Sequence, residues 1–137
     1  MGYDLRPRNK AAGNFQMGAF AWCWMLDNGV GLPVGYGPGV EPGQCCYRLR
    51  SDGLCIVNNN GARVTAVEAK NMAKVAWWLS DYQDDLHELL MRETEEDRKR
   101  MEGNKYGIYQ LPVRRDFVEK VREFAAWAES SSGFRVY

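Results

Sequence analysis

The sequence predicts an α+β domain, a small and mostly antiparallel sheet packed by three to four helices. Three observations lead there. The stretch from Leu54 to Glu68 runs from a short apolar segment through Asn58-Asn59-Asn60-Gly61 into Thr65-x-x-Glu68, which announces strand, turn and capped helix. Residues 66–79 and 116–128 carry apolar side chains at helical spacing. Strands and helices do not alternate in the strict βαβ order that a parallel sheet requires.

Taken in order, residues 1–13 are polar and carry Arg6, Arg8 and Lys10 around Pro7. They predict a short extended segment and then a loop, with the three bases solvated. Asn14 suits the N-cap of a first helix over residues 15–26, stopped by Asp27-Asn28-Gly29. That segment is apolar nearly all round, so such a helix is buried or feeds a protein contact. Aromatic runs fit both periods, and a strand over part of it stays open. Residues 29–44 hold glycine and proline at a density that excludes regular structure, and a loop of that length is usually functional or mobile. Residues 45–49 and 54–57 read as strands around Arg50-Ser51-Asp52-Gly53, whose Asp-Gly step is a hairpin turn signal.

From residue 66 the helical period takes over. Val67, Ala69, Met72, Ala73, Ala76 and Leu79 fall near one face, with Glu68, Lys70 and Lys74 outward. Ser80-Asp81 marks an end or a new cap, and residues 84–101 continue as a second helix on a Leu86, Leu89, Leu90 stripe. Residues 92–104 become almost wholly charged before Gly103-Asn104, a solvated helix end laced by Glu95–Lys99 and Glu96–Arg100 pairs. Residues 106–111 form a short strand ended by Pro112. The last helix, over 116–128, has the stripe Phe117, Val118, Val121, Phe124, Ala125, Ala128 and a second capping box in Asp116 and Glu119. Residues 130–133 stop it, and residues 134–137 alternate as a terminal strand.

At 137 residues the chain is a single domain, long enough to bury a core without metal or disulfide staples. Its 18 basic and 18 acidic residues balance, which removes the basic excess of a nucleic-acid binder and disfavours that partner. No apolar run approaches the roughly 18 residues of a spanning helix, and residues 15–26 lack the basic leader of a secretory signal. The expectation is a cytosolic protein without a membrane partner. Cys23, Cys45, Cys46 and Cys55 match no zinc spacing, and Cys45 and Cys46 would point to opposite faces of a strand. They read as reduced, half-buried thiols, with no metal and no cofactor.

The chain resembles a group of small, functionally uncharacterised proteins of bacteria and their phages. The matching residues are Met1-Gly2-Tyr3-Asp4, Asn14-Phe15 through Trp22-Cys23-Trp24, Asn59-Asn60-Gly61 with Thr65 and Ala69, and Phe117-Val118 through Ser131-Ser132-Gly133-Phe134. Ser132 stands where that pattern prefers glycine, and residues 29–43 have no counterpart in it. The resemblance implies a phage-encoded accessory or counter-defence factor and brings no catalytic residues.

Candidate contact residues follow from side-chain chemistry. Tyr36 is an aromatic on a Gly/Pro arm that lacks the spacing of either phosphate-binding loop motif. Trp77 and Trp78 lie about 100° apart on one helix, so one can be core while the other lies at a boundary or contact. Any bound anion would be met by Arg48, Arg50 or Arg63. The single imidazole, His87, sits among Asp84, Asp85 and Glu88 as a solvated group rather than a catalytic base. The expectation is a non-catalytic protein that binds a host protein or sequesters a small anionic, nucleotide-like ligand. The alternatives are a small enzyme built on a Cys or an Asp/Glu pair, and a structural or homo-oligomeric role. Thiol titration of the denatured chain is expected to find four reactive groups, and elemental analysis to find no stoichiometric zinc. One zinc per chain would overturn the cysteine assignment.

Overall fold

The structure is a computed structural model and describes residues 2–34, 54–90 and 114–137. Within them lies a four-stranded antiparallel sheet of order β2-β1-β4-β3, comprising β1 (Gly2–Pro7), β2 (Phe15–Gly18), β3 (Ala62–Val64) and β4 (Phe134–Val136). Helices α1 (Ala19–Met25), α2 (Ala66–Leu90) and α3 (Arg115–Ser131) complete an α+β fold. The strands expected at 45–49 and 106–111, the hairpin turn at 50–53, the charged helix end at 92–104 and Cys45 and Cys46 lie outside the described residues. Among the described residues no helix is long and apolar enough to cross a membrane.

The capped helix forms as its residues dictate. Glu68 Oε1 accepts from the Thr65 amide at 3.0 Å, and Thr65 Oγ1 accepts from the Glu68 amide at 3.3 Å. Helix α2 then runs unbroken to Leu90 rather than ending near residue 80, because Ser80 Oγ donates to the Trp77 carbonyl within the helix. Ala69, Met72, Ala73, Ala76 and Leu79 are buried, whereas Val67 is 70% exposed on the first turn, outside the stripe assigned to it.

Three other expectations are corrected. Residues 15–26 are not one helix: Phe15 to Gly18 pair with β1, and α1 begins only after Gly18. The backbone there is held by the neighbouring strand, a demand that side-chain period alone does not register. Residues 54–57 do not form a strand, since only Cys55 makes an isolated bridge and Ile56 and Val57 turn. Their carbonyls are taken by side chains instead, Ile56 O by Trp22 Nε1 at 3.2 Å and Val57 O by Tyr3 OH at 2.8 Å. The strand that feeds α2 is β3, beyond the Asn-Gly turn. Finally, the start of the Gly/Pro segment is structured, as a turn through Leu26–Val30 and a 3-10 turn at Leu32–Val34 that bury Val30 and Val34.

Helix α3 presents Val118, Val121, Phe124, Ala125 and Ala128 to the core. It starts at Arg115 without a side-chain cap, so the second capping box does not form. Asp116 instead accepts from the Arg114 guanidinium at 2.7 and 3.1 Å. Ser132 (φ 59°) and Gly133 (φ 93°) end the helix in left-handed geometry. A side chain on Gly133 would bring its Cβ within 2.7 Å of the Val64 carbonyl, so this turn also seats α3 against β3. Helices α2 and α3 pack together on one face of the sheet. Arg122 bridges them by donating to Asp84 and to Asp81, and the bond to Asp84 is the main cause holding the guanidinium above its ordinary range.

Phe124 lies at the centre, with ring centroids 5.7 Å from Trp22, 6.1 Å from Phe134 and 6.3 Å from Trp127. Phe124→Ala should lower unfolding free energy by about 3–5 kcal/mol and Met72→Ala by about 2–5 kcal/mol, as large cavities do. Val67→Ala should stay within about 0.5 kcal/mol, the range for surface positions. Chemical denaturation checks all three, and equal effects across the set would remove this core.

Candidate functional site

Three strands each hold one arginine between apolar or ring neighbours: Leu5-Arg6-Pro7, Ala62-Arg63-Val64 and Phe134-Arg135-Val136. Strand alternation sends Leu5, Ala62, Val64, Phe134 and Val136 into the core and the arginines to the opposite face. Register then aligns them. Arg6 is the cross-strand partner of Arg135, and Arg63 is its partner on the other side. The result is a continuous row of three guanidinium side chains across β1, β4 and β3. Like charges directly opposite one another disfavour strand pairing, and at Arg6 the Asp4 carboxylate offsets part of this.

The row lines a cleft of about 490 Å³. Arg8, Thr65, Ser132 and Tyr137 also line it, and none of its described lining residues carries a carboxylate, imidazole or thiol side chain. Local bonds orient the guanidinium groups of Arg6 and Arg135. Arg6 lies over the Tyr137 ring, 4.2 Å from its centroid, and its Nε donates to Asp4 at 3.0 Å. Arg135 Nη1 donates to the Gly61 carbonyl at 3.1 Å. Tyr137 is placed by two backbone bonds to Asp4, at 2.8 and 2.9 Å. Its ring packs on Gly61, whose φ is 84° and where a Cβ would come within 3.2 Å of the ring. The first turn of α2 opens at the same cleft through Thr65 and Ala66, where the helix end carries partial positive charge. Chemically, the site can bind and orient an anion.

Of the residues singled out from sequence, Arg63 belongs to this cleft. Trp77 and Trp78 do not line it, and α2 carries them about 16–18 Å along its axis from Ala66, at 1.5 Å per residue. Trp77 is half-buried and its Nε1 donates to Glu129 at 2.8 Å, tying α2 to α3. Trp78 is 61% exposed and stacks on Tyr82, with ring centroids 5.7 Å apart and planes within 4°. Tyr36, Arg48 and Arg50 lie outside the described residues. Cys23 is half-buried and Cys55 buried, neither in a disulfide, and among the described residues no group of three or more His, Cys, Asp or Glu side chains is gathered as for a metal ion.

Arg6, Arg8, Arg135 and Tyr137 were not identified from sequence as contact residues, because Arg6 and Arg8 looked like solvated charge near the chain start. The usable signal was the repeated apolar-Arg-apolar triplet in segments that alternate as strands. Comparison with protein-family models, with curated proteins and with solved structures gives no match. The assignment therefore rests on geometry, which makes a stability prediction. Arg135→Gln removes the central charge of the row, and its melting midpoint should equal or exceed that of the parent. A clear fall in midpoint would mean that Arg135 serves the fold rather than a ligand.

Proposed function

We propose that this chain is a non-catalytic binding protein that sequesters a small anionic, nucleotide-like ligand on the arginine row. The observation that carries the proposal is the register itself, with Arg6, Arg135 and Arg63 directly opposed on three adjacent strands. Three exposed guanidinium side chains held in one line concentrate donors and positive charge that an anion can meet. Guanidinium forks suit phosphate oxygens, which they meet with two parallel hydrogen bonds. The described lining offers guanidinium groups and hydroxyls that can hold an anion, and no described lining side chain is an imidazole, thiol or carboxylate that could activate those hydroxyls. Sequestration also fits the accessory or counter-defence role implied by the resemblance to small phage proteins.

A second reading, contact with a host protein or another copy of the chain, has its own support in the Trp78–Tyr82 stack. Large aromatics left exposed on a helix supply contact area at low entropic cost. It concerns a different surface and does not compete with the cleft.

Calorimetric titration with a nucleoside triphosphate tests the first reading. Binding should weaken by about 10-fold or more in Arg63→Gln and in Arg135→Gln, the scale of one charge-assisted contact. Trp78→Ala should bind as the parent does. Unchanged affinity in both arginine variants, or release of phosphate from the titrant, would overturn the proposal.

A further inference from the structure

The shape of the row says more than its charge. Neighbouring strands lie about 4.7–4.9 Å apart, so Arg6, Arg135 and Arg63 extend over roughly 9–10 Å of sheet in a straight line. A lone tetrahedral anion reaches one fork, or two at most. A linear run of linked phosphoryl groups is long enough for its oxygens to be met by two or three of these long, converging side chains. We infer that the cleft recognises a linear chain of at least two linked phosphates, the chemistry shared by nucleoside di- or triphosphates and inorganic polyphosphate. This rests on the anion-binding reading above and narrows its ligand.

The surroundings bound the ligand to a small one. In the adjacent row of the same sheet, Asp4 lies opposite Gln16 and places a carboxylate beside the arginines. A long phosphodiester backbone crossing the sheet from that side would pass over it. At the other side the row ends at β3, the edge of the sheet among the described residues. The turns at Thr65 and at Ser132-Gly133 wall the cleft, and its volume of about 490 Å³ falls in the range of roughly 300–1,000 Å³ found for small-ligand sites. Extended single strands instead require a basic groove that tracks many nucleotides.

The test is calorimetric titration of the whole chain at constant ionic strength with orthophosphate, pyrophosphate, tripolyphosphate, a nucleoside triphosphate and a ten-nucleotide single strand. Affinity should rise by about 10-fold or more for each phosphoryl group added from orthophosphate to tripolyphosphate, the increment of one charge-assisted contact. Arg135→Lys keeps the charge but not the planar fork and should flatten that rise, with the circular dichroism spectrum unchanged. Equal affinity for tripolyphosphate and the nucleoside triphosphate would assign recognition to the phosphate chain alone. Tighter binding of the nucleoside triphosphate would add base or ribose contacts, and both results support the inference. Orthophosphate binding as tightly as tripolyphosphate would overturn it while leaving the anion-binding reading intact. Binding of none of the five would remove both. Tighter binding of the oligonucleotide than of the triphosphate would overturn the small-ligand assignment.

Discussion

The pairing of β1 with β4 joins the two ends of the chain at the centre of the sheet, with Leu5 opposite Val136, Arg6 opposite Arg135 and Pro7 opposite Phe134. Every other part of the described structure depends on it. On one face it sets Leu5, Phe134 and Val136 as the floor on which the helices pack. On the other it aligns the arginines. Such pairing carries a loop-closure cost that grows only slowly with loop length, and burial of the apolar floor offsets it. The contacts around it are correspondingly dense. The Arg8 amide donates to Gly133, the Asn9 amide to Ser131 and the Asn9 side chain to Ser130, so the end of β1 also fastens the end of α3.

Around that floor the core is aromatic. Phe124 meets Trp22 and Phe134 edge-on, and Trp127 stacks against Phe15 with ring centroids 5.4 Å apart. Three polar handles on these large side chains reach backbone acceptors. Trp22 donates to Ile56, Trp127 to Gly13 and Tyr3 to Val57. Buried aromatic N–H and O–H groups need such partners. Here the same bonds do a second task, because they pin segments that have no strand or helix of their own.

The arginine row and the exposed Trp78–Tyr82 stack are places among the described residues where local chemistry departs from what stability favours. Each strand satisfies the alternation rule, yet their register sums to a like-charge line. Asp4 relieves Arg6 and the Gly61 carbonyl orients Arg135. Features of this kind, where a local arrangement is not explained by stability alone, are what motivate the anion-binding proposal.

Much of the fold could be read from sequence because its signals are local. Thr65 and Glu68 make a capping box from residues three apart, α3 shows its buried stripe in its own period, and Phe134 to Val136 alternate as a strand must. Local signals failed where backbone partners come from far along the chain. Phe15 to Gly18 became strand because β1 lies beside them, and residues 54–57 lost their strand because Trp22 and Tyr3 claim their carbonyls. The candidate site was legible only in Arg63. Sequence determined only that Arg6, Arg63 and Arg135 each stand between apolar or ring neighbours, which sets them on the opposite face wherever the segment is a strand. Only the tertiary structure decided that they face the same cleft in one line, because register between strands is set by the packing of the whole apolar face and not by any one strand.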